Sequence, residues 1–383
     1  MQHKSVKLIF TSKDTGSAGH IASLATAAPA HGKQSLIVAE GAAHTYLSAL
    51  DVQHFSADKW LAPSFGEATR TADVAKAISR IMQSGASIVV CGRSAQEDAG
   101  IDQTVILAAR QLGIPSFVVQ DFWGDVWAED CRPDHYLVID ELAAQVTRER
   151  TSASVHVIGS PKHVQYRNID FRNLRQRGRA TIGLAPDVIT VGYFGQDLLH
   201  LSGYHQVLGD IGDIVGRRDR VALFYKPHPR ETKASRLNSM VRLQKSGAHP
   251  VLAENLTIET AIASADVVLS CFSTVGLDAA HMMCTPDSPK VSIICADYPE
   301  DVSGFWRPVT GLSAFPLVID GIALPAFDRN TLEAAIQTGL TALERGRQAN
   351  ACRAIFGNPD DPIEKAYKLI DKVLNNDILR VKA

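Results

Sequence analysis

One stretch of the sequence decides the fold class: Ala265-Asp266-Val267-Val268-Leu269-Ser270-Cys271-Phe272-Ser273-Thr274-Val275-Gly276-Leu277-Asp278-Ala279-Ala280. Its first half is a short apolar run that predicts a buried strand, and its second half has the composition of a helix. A strand that passes through two hydroxyl residues directly into a helix is typical of a parallel sheet covered by helices on both faces.

The same alternation of strand and helix extends outward over the whole chain. Short apolar runs predict eleven strands, at 6–11, 35–38, 87–91, 116–120, 135–139, 155–158, 188–194, 220–225, 251–252, 267–270 and 290–295. A chain of 383 residues also exceeds the size at which one hydrophobic core keeps growing. We therefore expect an α/β protein with two Rossmann-like, doubly wound parallel-sheet domains. Their strands would present their carboxyl ends to a cleft, where open parallel sheets bind ligands.

The predicted boundaries follow from one interruption of this alternation, a polar, arginine-rich stretch. Residues 1–164 form the N-terminal domain, 165–186 an interdomain linker and 187–360 the C-terminal domain. Residues 361–383 are predicted to form a C-terminal helix that packs back on the N-terminal domain. The arginines Arg172, Arg175, Arg177 and Arg179 would be the solvated face of the linker. A basic surface helix is the alternative interpretation of the same stretch.

Composition narrows the function classes. The 39 Lys and Arg residues nearly balance 41 Asp and Glu residues, so the charge gives no reason to expect a nucleic-acid partner. Six cysteines without a CxxC pair suit buried thiols in a reducing compartment. No signal stretch and no membrane-length apolar run is evident, which predicts a cytoplasmic location. The cations Arg380 and Lys382 would still allow peripheral contact with an anionic membrane surface.

A stiff turn is predicted where the strand at 220–225 ends. Lys226-Pro227-His228-Pro229-Arg230 places three potential cations there, and the two prolines restrict the backbone. Lys226, His228 and Arg230 suit a phosphate or diphosphate group. The alternative is that His228 caps a turn and that Lys226 is solvated.

The stretch quoted first predicts the other half of the anion site. Free amides at the start of its helix favour an anion, and the hydroxyls of Ser273 and Thr274 would add donors. Gly276 would permit a close approach, and Asp278 would accept bonds from ribose hydroxyls. Gly195, after the strand at 188–194, is a candidate third wall. The alternatives are a well-capped helix and an ordinary turn.

Candidate catalytic groups lie in the first half of the chain. The loop after the first strand supplies Asp14 and His20, and the loop after the strand at 87–91 supplies Glu97 and Asp98. A carboxylate at the end of a central strand suits a general base for an acceptor hydroxyl. The alternatives are a first-turn histidine, a solvated Asp14 and helix capping by Asp98.

A sugar platform is predicted at Gln120-Asp121-Phe122-Trp123-Gly124-Asp125-Val126-Trp127, after the strand at 116–120. Trp123 would pack against sugar C–H groups, and Asp125 would accept bonds from hydroxyls. Alternatively, Trp123 and Trp127, four residues apart, anchor a short helix to the core. No metal-ligand pattern is evident, so we expect neither a metal nor another cofactor.

Residues 226–229 followed by 273–280 resemble the nucleotide-binding half of glycosyltransferases of the GT-B fold. The nearest resemblance is to bacterial enzymes that transfer sialic-acid-like or 3-deoxy-octulosonate sugars or polymerise polyol phosphates, and non-hydrolysing sugar-nucleotide 2-epimerases share the layout. The resemblance implies that His228, Ser273 and Thr274 bind the donor phosphate and that Asp278 holds the ribose. Sialyl-type transferases carry an acidic pair before a glycine, and residues 97–100 depart from that pattern by one inserted residue.

The resulting prediction is a metal-independent glycosyltransferase. It would move a sugar from a nucleotide donor, CMP- or UDP-linked, to a hydroxyl of a glycan or lipid-linked acceptor during assembly of a bacterial surface glycan. Two alternatives stay open: a sugar-nucleotide 2-epimerase or hydrolase, and a non-catalytic nucleotide-binding or scaffold protein.

Overall fold

The computed structural model describes residues 6–62, 70–93, 100–245, 247–285, 288, 290–357 and 360–382. The chain divides into two compact units. Unit 1 comprises Met1–Val164 and Asp360–Ala383, and unit 2 comprises Gln165–Pro359. Each unit has its own parallel sheet and its own core.

Unit 1 is built on a seven-stranded sheet. Its strands are β1 Val6–Ser12, β2 Lys33–Ala39, β3 Phe55–Ser56, β4 Ile88–Gly92, β5 Ser116–Val119, β6 His135–Val138 and β7 Ser154–Val157. Their order is β3-β2-β1-β4-β5-β6-β7, and every pair is parallel. The direction of winding therefore reverses between β1 and β4.

Helices connect these strands, as parallel pairing requires. They are α1 Thr15–Ala27, α2 Gly41–Ala49, α3 Ala57–Trp60, α4 Arg70–Ser84, α5 Ile101–Leu112 and α6 Glu141–Arg148. Short 3₁₀ turns occupy Ala28–His31, Glu129–Cys131 and Pro161–Asn168.

Unit 2 repeats the arrangement with six strands. They are β8 Ile189–Phe194, β9 Val221–Lys226, β10 Val251–Leu252, β11 Val267–Ser270, β12 Ser292–Cys295 and β13 Leu324–Pro325. The order is β10-β9-β8-β11-β12-β13, again all parallel, so the winding reverses between β8 and β11. β11 and β12 are buried throughout, which explains why their sequences read as continuous apolar runs.

In the described part of unit 2, ten helices cover this sheet and its edges. They are α7 Phe171–Thr181, α8 Ser202–Gly216, α9 Lys233–Lys245, α10 Ile258–Ser264, α11 Val275–Met283, α12 Glu300–Ser303, α13 Arg307–Thr310, α14 Pro316–Ile319, α15 Arg329–Gly339 and α16 Ala342–Phe356. No helix among the described residues is long and apolar enough to cross a membrane.

Helix α7 lies in the stretch that was predicted as a linker or a basic surface helix. Arg175 and Arg179 both donate to the carboxylate of Asp266, at 2.7 and 2.9 Å. Arg179 is buried and also donates to the carbonyls of Ser264 and Val188. The expected solvated face is therefore wrong for Arg179, because its guanidinium ties α7 to the ends of α10 and β8.

The last helix, α17 Pro362–Lys382, belongs to unit 1. Tyr367 is buried in the core of that unit and donates its hydroxyl to the carbonyl of Leu24 at 2.6 Å. The His31 ring stacks on Tyr367 with 4.1 Å between centroids, and Lys33 pairs with Asp371 at 2.6 Å. The helix thus completes the core that α1 and β2 begin.

Candidate functional site

The carboxyl end of β9 carries a rigid turn. The buried carboxylate of Glu231 accepts the backbone N–H of His228 at 2.7 Å and the hydroxyl of Tyr225 at 2.6 Å. Prolines at 227 and 229 restrict the backbone on both sides of the histidine. The position of the His228 ring is therefore set by its own turn and by a buried acid that the sequence analysis did not select.

One proton of the His228 ring is fixed by a local hydrogen bond. Its Nδ1 accepts the backbone N–H of Arg230 at 3.2 Å, so the ring proton resides on Nε2. Burial, and then the nearby positive charge of Arg230, lower the pKa of His228 to about 4. At neutral pH the side chain is an uncharged donor, and no described residue accepts a bond from Nε2.

Further donors open helix α11. Ser273 Oγ accepts the N–H of Val275 at 3.3 Å, and the carbonyls of Ser273 and Thr274 accept the next helical amides. Within the described part of the chain, the amides of Ser273 and Thr274 and the Thr274 hydroxyl have no partner. These groups lie at the positive end of the helix dipole, where an anion is stabilised.

A side-chain bridge joins the two loops at the winding reversal of unit 2. Gln196 follows β8, and its Oε1 accepts the N–H of Phe272, in the loop after β11, at 3.1 Å. In open parallel sheets this reversal is the usual ligand site. The loops that carry Gln196 and Ser273 are therefore held together at the place where the topology favours binding.

Gly195 packs closely against the end of β9 and the turn that follows it. Its N–H donates to the Lys226 carbonyl at 2.9 Å, and a Cβ there would lie 2.5 Å from the Tyr225 hydroxyl oxygen and 2.8 Å from Glu231 Oε1. Only a residue without a side chain leaves room for the buried acid that orients His228.

Lys226 does not have the solvated ammonium of the alternative interpretation. Its Nζ donates to the carbonyls of Glu254, at 3.1 Å, and Leu256, and burial lowers its pKa. The ammonium therefore holds the loop after β10 against the end of β9. Arg230, by contrast, is exposed.

Two residues of the predicted phosphate–ribose site face inward. A Cβ on Gly276 would lie 2.7 Å from Leu317 Cδ1, so this glycine lets α11 pack closely and offers no approach to a ligand. Asp278 is buried and accepts the hydroxyl of Tyr166 at 2.7 Å. The predicted contacts of Gly276 and Asp278 with a ligand are wrong in this arrangement, because both lie on the packed face of the helix.

Unit 1 has a different chemistry at the carboxyl end of its sheet. Asp121 follows β5, and burial, together with the charges of Asp125 and Asp14, raises the pKa of its carboxyl to about 7. The charge of Lys162 acts in the opposite direction. A Cβ on Gly16, in the first turn of α1, would overlap the Asp121 carboxylate, so this glycine creates the space for it. Asp121 was quoted in the sequence but not selected as a catalytic candidate.

The structure places the predicted catalytic residues of unit 1 in different environments. Asp14 precedes α1, is partly exposed and contributes to the field at Asp121. His20 is buried within α1, with its ring centroid 6.1 Å from that of His163, so its predicted contact with an acceptor is wrong. Glu97 and Asp98 lie outside the described residues.

The predicted platform at Trp123 is also wrong. Trp123 is completely buried and donates its indole N–H to Asp140 at 2.9 Å. Asp125 pairs with the buried guanidinium of Arg93. The tryptophan anchors its segment to the core, as the alternative interpretation expected, but that segment is a loop and not the expected short helix.

Metal ligation has no candidate among the residues that the structure describes: no group of three or more His, Cys, Asp or Glu side chains could hold an ion. The anion donors identified above are neutral hydrogen-bond donors, helix amides and the cation Arg230.

Comparison with known proteins places this architecture in the GT-B-like class of folds. A UDP-GlcNAc 2-epimerase from Neisseria meningitidis bound to UDP-GlcNAc matches with a TM-score of 0.65 at 12% identity, covering 97% of this chain and 100% of that one. A UDP-GlcNAc 2-epimerase from Methanocaldococcus jannaschii, in complex with UDP-GlcNAc and UDP, matches with 0.65 at 14%, covering 96% and 100%. A glycosyltransferase from Rickettsia africae matches with 0.63 at 12%, covering 98% and 100%. No family model matches the sequence, and no curated protein matches it.

Proposed function

We propose that this chain is a metal-independent glycosyltransferase that moves a sugar from a nucleotide donor to a hydroxyl acceptor. The carrying observation is the group of donors in unit 2: the Nε2–H of a neutral His228, with the amides and hydroxyls at Ser273 and Thr274. Such donors suit the phosphate oxygen on which charge develops as the glycosidic bond breaks. The exposed Arg230 adds a cation to the same turn.

In this proposal, unit 1 supplies the general base that deprotonates the acceptor hydroxyl. A hydroxyl acceptor needs a base whose pKa lies near the working pH, and the Asp121 carboxyl, with its pKa of about 7, meets that requirement. In this proposal Asp121 takes the proton of the acceptor hydroxyl. The nucleotide would leave with its phosphate bonded to His228 and Ser273.

The donor class in this proposal is CMP- or UDP-linked, and the acceptor is a glycan or lipid-linked sugar of a bacterial surface. Two of the matched structures were solved with UDP-GlcNAc, which supports a sugar nucleotide as the ligand. A cytoplasmic site, with peripheral contact to a membrane through the end of α17, belongs to the same proposal.

A sugar-nucleotide 2-epimerase is the second candidate. The observation that favours it is the grouping of Asp14, Asp121 and Asp125, because epimerisation needs more than one acid–base group around the sugar. Conversion of the donor without any acceptor would identify this reaction.

The first experiment is a thermal-shift screen of the wild type against CMP, CDP, UDP, GDP and their sugar conjugates. A ligand at about 100 times its dissociation constant adds roughly 2.7 kcal/mol to the free energy of unfolding. We expect one nucleotide class to raise the melting temperature, and His228→Ala to remove that rise. His249→Ala, an exposed histidine of the same unit, is the matched control and should retain it. No rise with any nucleotide, or an undiminished rise in His228→Ala, would contradict the proposal.

A further inference from the structure

Three aromatic rings from three separate loops meet in unit 2. His200 lies in the loop after β8, Phe272 in the loop after β11 and Phe305 in the loop after α12. The rings of Phe272 and Phe305 are nearly parallel, at 18°, with 6.4 Å between centroids. The His200 ring lies 5.7 Å from Phe305 at 62°. These three residues are called the aromatic patch.

Phe305 is 46% exposed although it packs against both other rings. A large aromatic side chain that presents this much of its surface can still bury apolar area against a ligand. The patch adjoins the anion site directly, because Phe272 immediately precedes Ser273 and is bonded to Gln196 through its backbone.

We propose that the aromatic patch binds the apolar face of a pyranose ring, the sugar of the donor. This inference rests on the proposed function, since it places the sugar relative to a phosphate at Ser273. A pyranose carries C–H groups on one face and hydroxyls around its rim, so it needs an aromatic surface with a hydrogen-bond acceptor nearby.

Asp297 supplies that acceptor. It follows β12, is half-buried and accepts the indole N–H of Trp306, the residue after Phe305, at 2.7 Å. Burial raises the pKa of its carboxyl, and the Trp306 bond opposes that effect. A carboxylate with one oxygen bonded to Trp306 has further lone pairs for sugar hydroxyls.

The strand order separates the two ends of the donor. His228 follows β9, on one side of β8, whereas the patch extends toward β12, on the other side of β11. In a sugar nucleotide, the nucleoside and the sugar are attached on opposite sides of the phosphate or diphosphate. Lys226 holds the loop after β10 on the β9 side, whereas the exposed aromatic surface of Phe305 lies on the β12 side.

The experiment is calorimetric titration of the wild type and Phe305→Ala with two matched pairs of probes. The pairs are UDP with UDP-N-acetylglucosamine and CMP with CMP-N-acetylneuraminate. For the pair that binds, we expect Phe305→Ala to leave the Kd of the bare nucleotide unchanged and to raise the Kd of the sugar nucleotide roughly tenfold, a loss of about 1.4 kcal/mol. Phe305→Tyr, which keeps the ring, should restore sugar-nucleotide binding.

Leu343→Ala is the matched control, because Leu343 is an exposed apolar residue of the same unit on α16, and it should change neither Kd. Equal weakening of both members of a pair would mean that the patch stacks a base, and an unchanged pair would mean that it contacts no part of the donor. Either result overturns the inference while leaving the proposed function intact. Failure of the wild type to bind any of the four probes would instead remove the nucleotide site and the inference with it.

Discussion

The carboxyl ends of the two sheets make an instructive comparison. Both sheets are parallel and doubly wound, with a reversal of winding between the first and fourth strands of each unit. In unit 1 the loops at that end bring carboxyl groups together around Asp121. In unit 2 they bring hydrogen-bond donors together at His228, Ser273 and Thr274.

In both units the architecture determines the location expected for a ligand, at the carboxyl ends of the strands. The side chains of the loops determine the chemistry available there. Glycines make both arrangements sterically possible: Gly16 leaves space for Asp121, and Gly195 leaves space for Glu231. In unit 1 the surroundings raise the pKa of the Asp121 carboxyl to a value suited to a general base. In unit 2 they lower the pKa of His228, which keeps its ring neutral. The predictions below test whether the two ends are as different in function as in composition.

The largest expected effect is on turnover in Asp121→Asn. Loss of a general base should lower kcat by roughly 10²- to 10⁴-fold. Nucleotide affinity should stay at the wild-type value, because the phosphate donors of the proposal, His228, Ser273 and Thr274, lie in unit 2. Initial rates and nucleotide titrations measure the two quantities, with the exposed Asp130→Asn as the matched control. Undiminished turnover would exclude Asp121 as the base.

The next effect concerns the buried acid of the donor end. Glu231→Ala leaves the N–H of His228 and the hydroxyl of Tyr225 without their acceptor, at a cost of about 1–3 kcal/mol for each buried group. Denaturant unfolding should show the loss, and nucleotide binding should weaken as His228 loses its orientation. Glu254→Ala removes an exposed carboxylate that pairs with Arg236, and it is the comparison variant. A stable Glu231→Ala that binds nucleotide normally would show that the turn is fixed by its prolines alone.

A smaller effect is the pH dependence of stability due to Asp121. The carboxyl ionises near 3.8 in the unfolded chain but near 7 in the folded one, so between these values the folded state binds more protons. The free energy of unfolding should therefore fall as pH rises from about 4 to 7. Asp121→Asn should remove this part of the fall. Identical pH profiles for the two proteins would contradict the raised pKa.

The smallest effect is an expected constancy. The pKa of His228 is lowered to about 4. The protonated fraction of its ring therefore changes by only about a few per cent between about pH 5.5 and 8. His228 should therefore contribute no pH dependence to nucleotide affinity in that range. The measurement is the ratio of the nucleotide association constants of the wild type and His228→Ala at each pH. A ratio that declines through pH 6.5 would mean that binding requires the cation.

The fold could be predicted from the sequence because strand and helix periodicity is local. Strand ends also placed His228 and Ser273 correctly at one edge of a sheet, since β9 and β11 were recognisable. What could not be predicted was the direction in which side chains point. Trp123 is drawn into the core by Asp140, seventeen positions later, and Asp278 is covered by Tyr166, more than a hundred positions earlier.

The functional candidates that sequence reasoning missed were missed for the same physical reason, since they depend on contacts between distant positions. Asp121 is one of several acids after β5, and only its proximity to Gly16 and Asp14 distinguishes it. Glu231 directly follows the motif of residues 226–230, which was interpreted through its cations. The aromatic patch combines positions 200, 272 and 305, which no spacing rule connects.

The return of α17 to unit 1 has a consequence for the order of events at the ribosome. Unit 2, residues 165–359, is synthesised as one uninterrupted segment, whereas the core of unit 1 lacks Tyr367 until all of unit 2 has been made. Domains usually complete in the order of synthesis. Here unit 2 can fold first, whereas the surface of α1 and β2 stays uncovered until α17 has been synthesised.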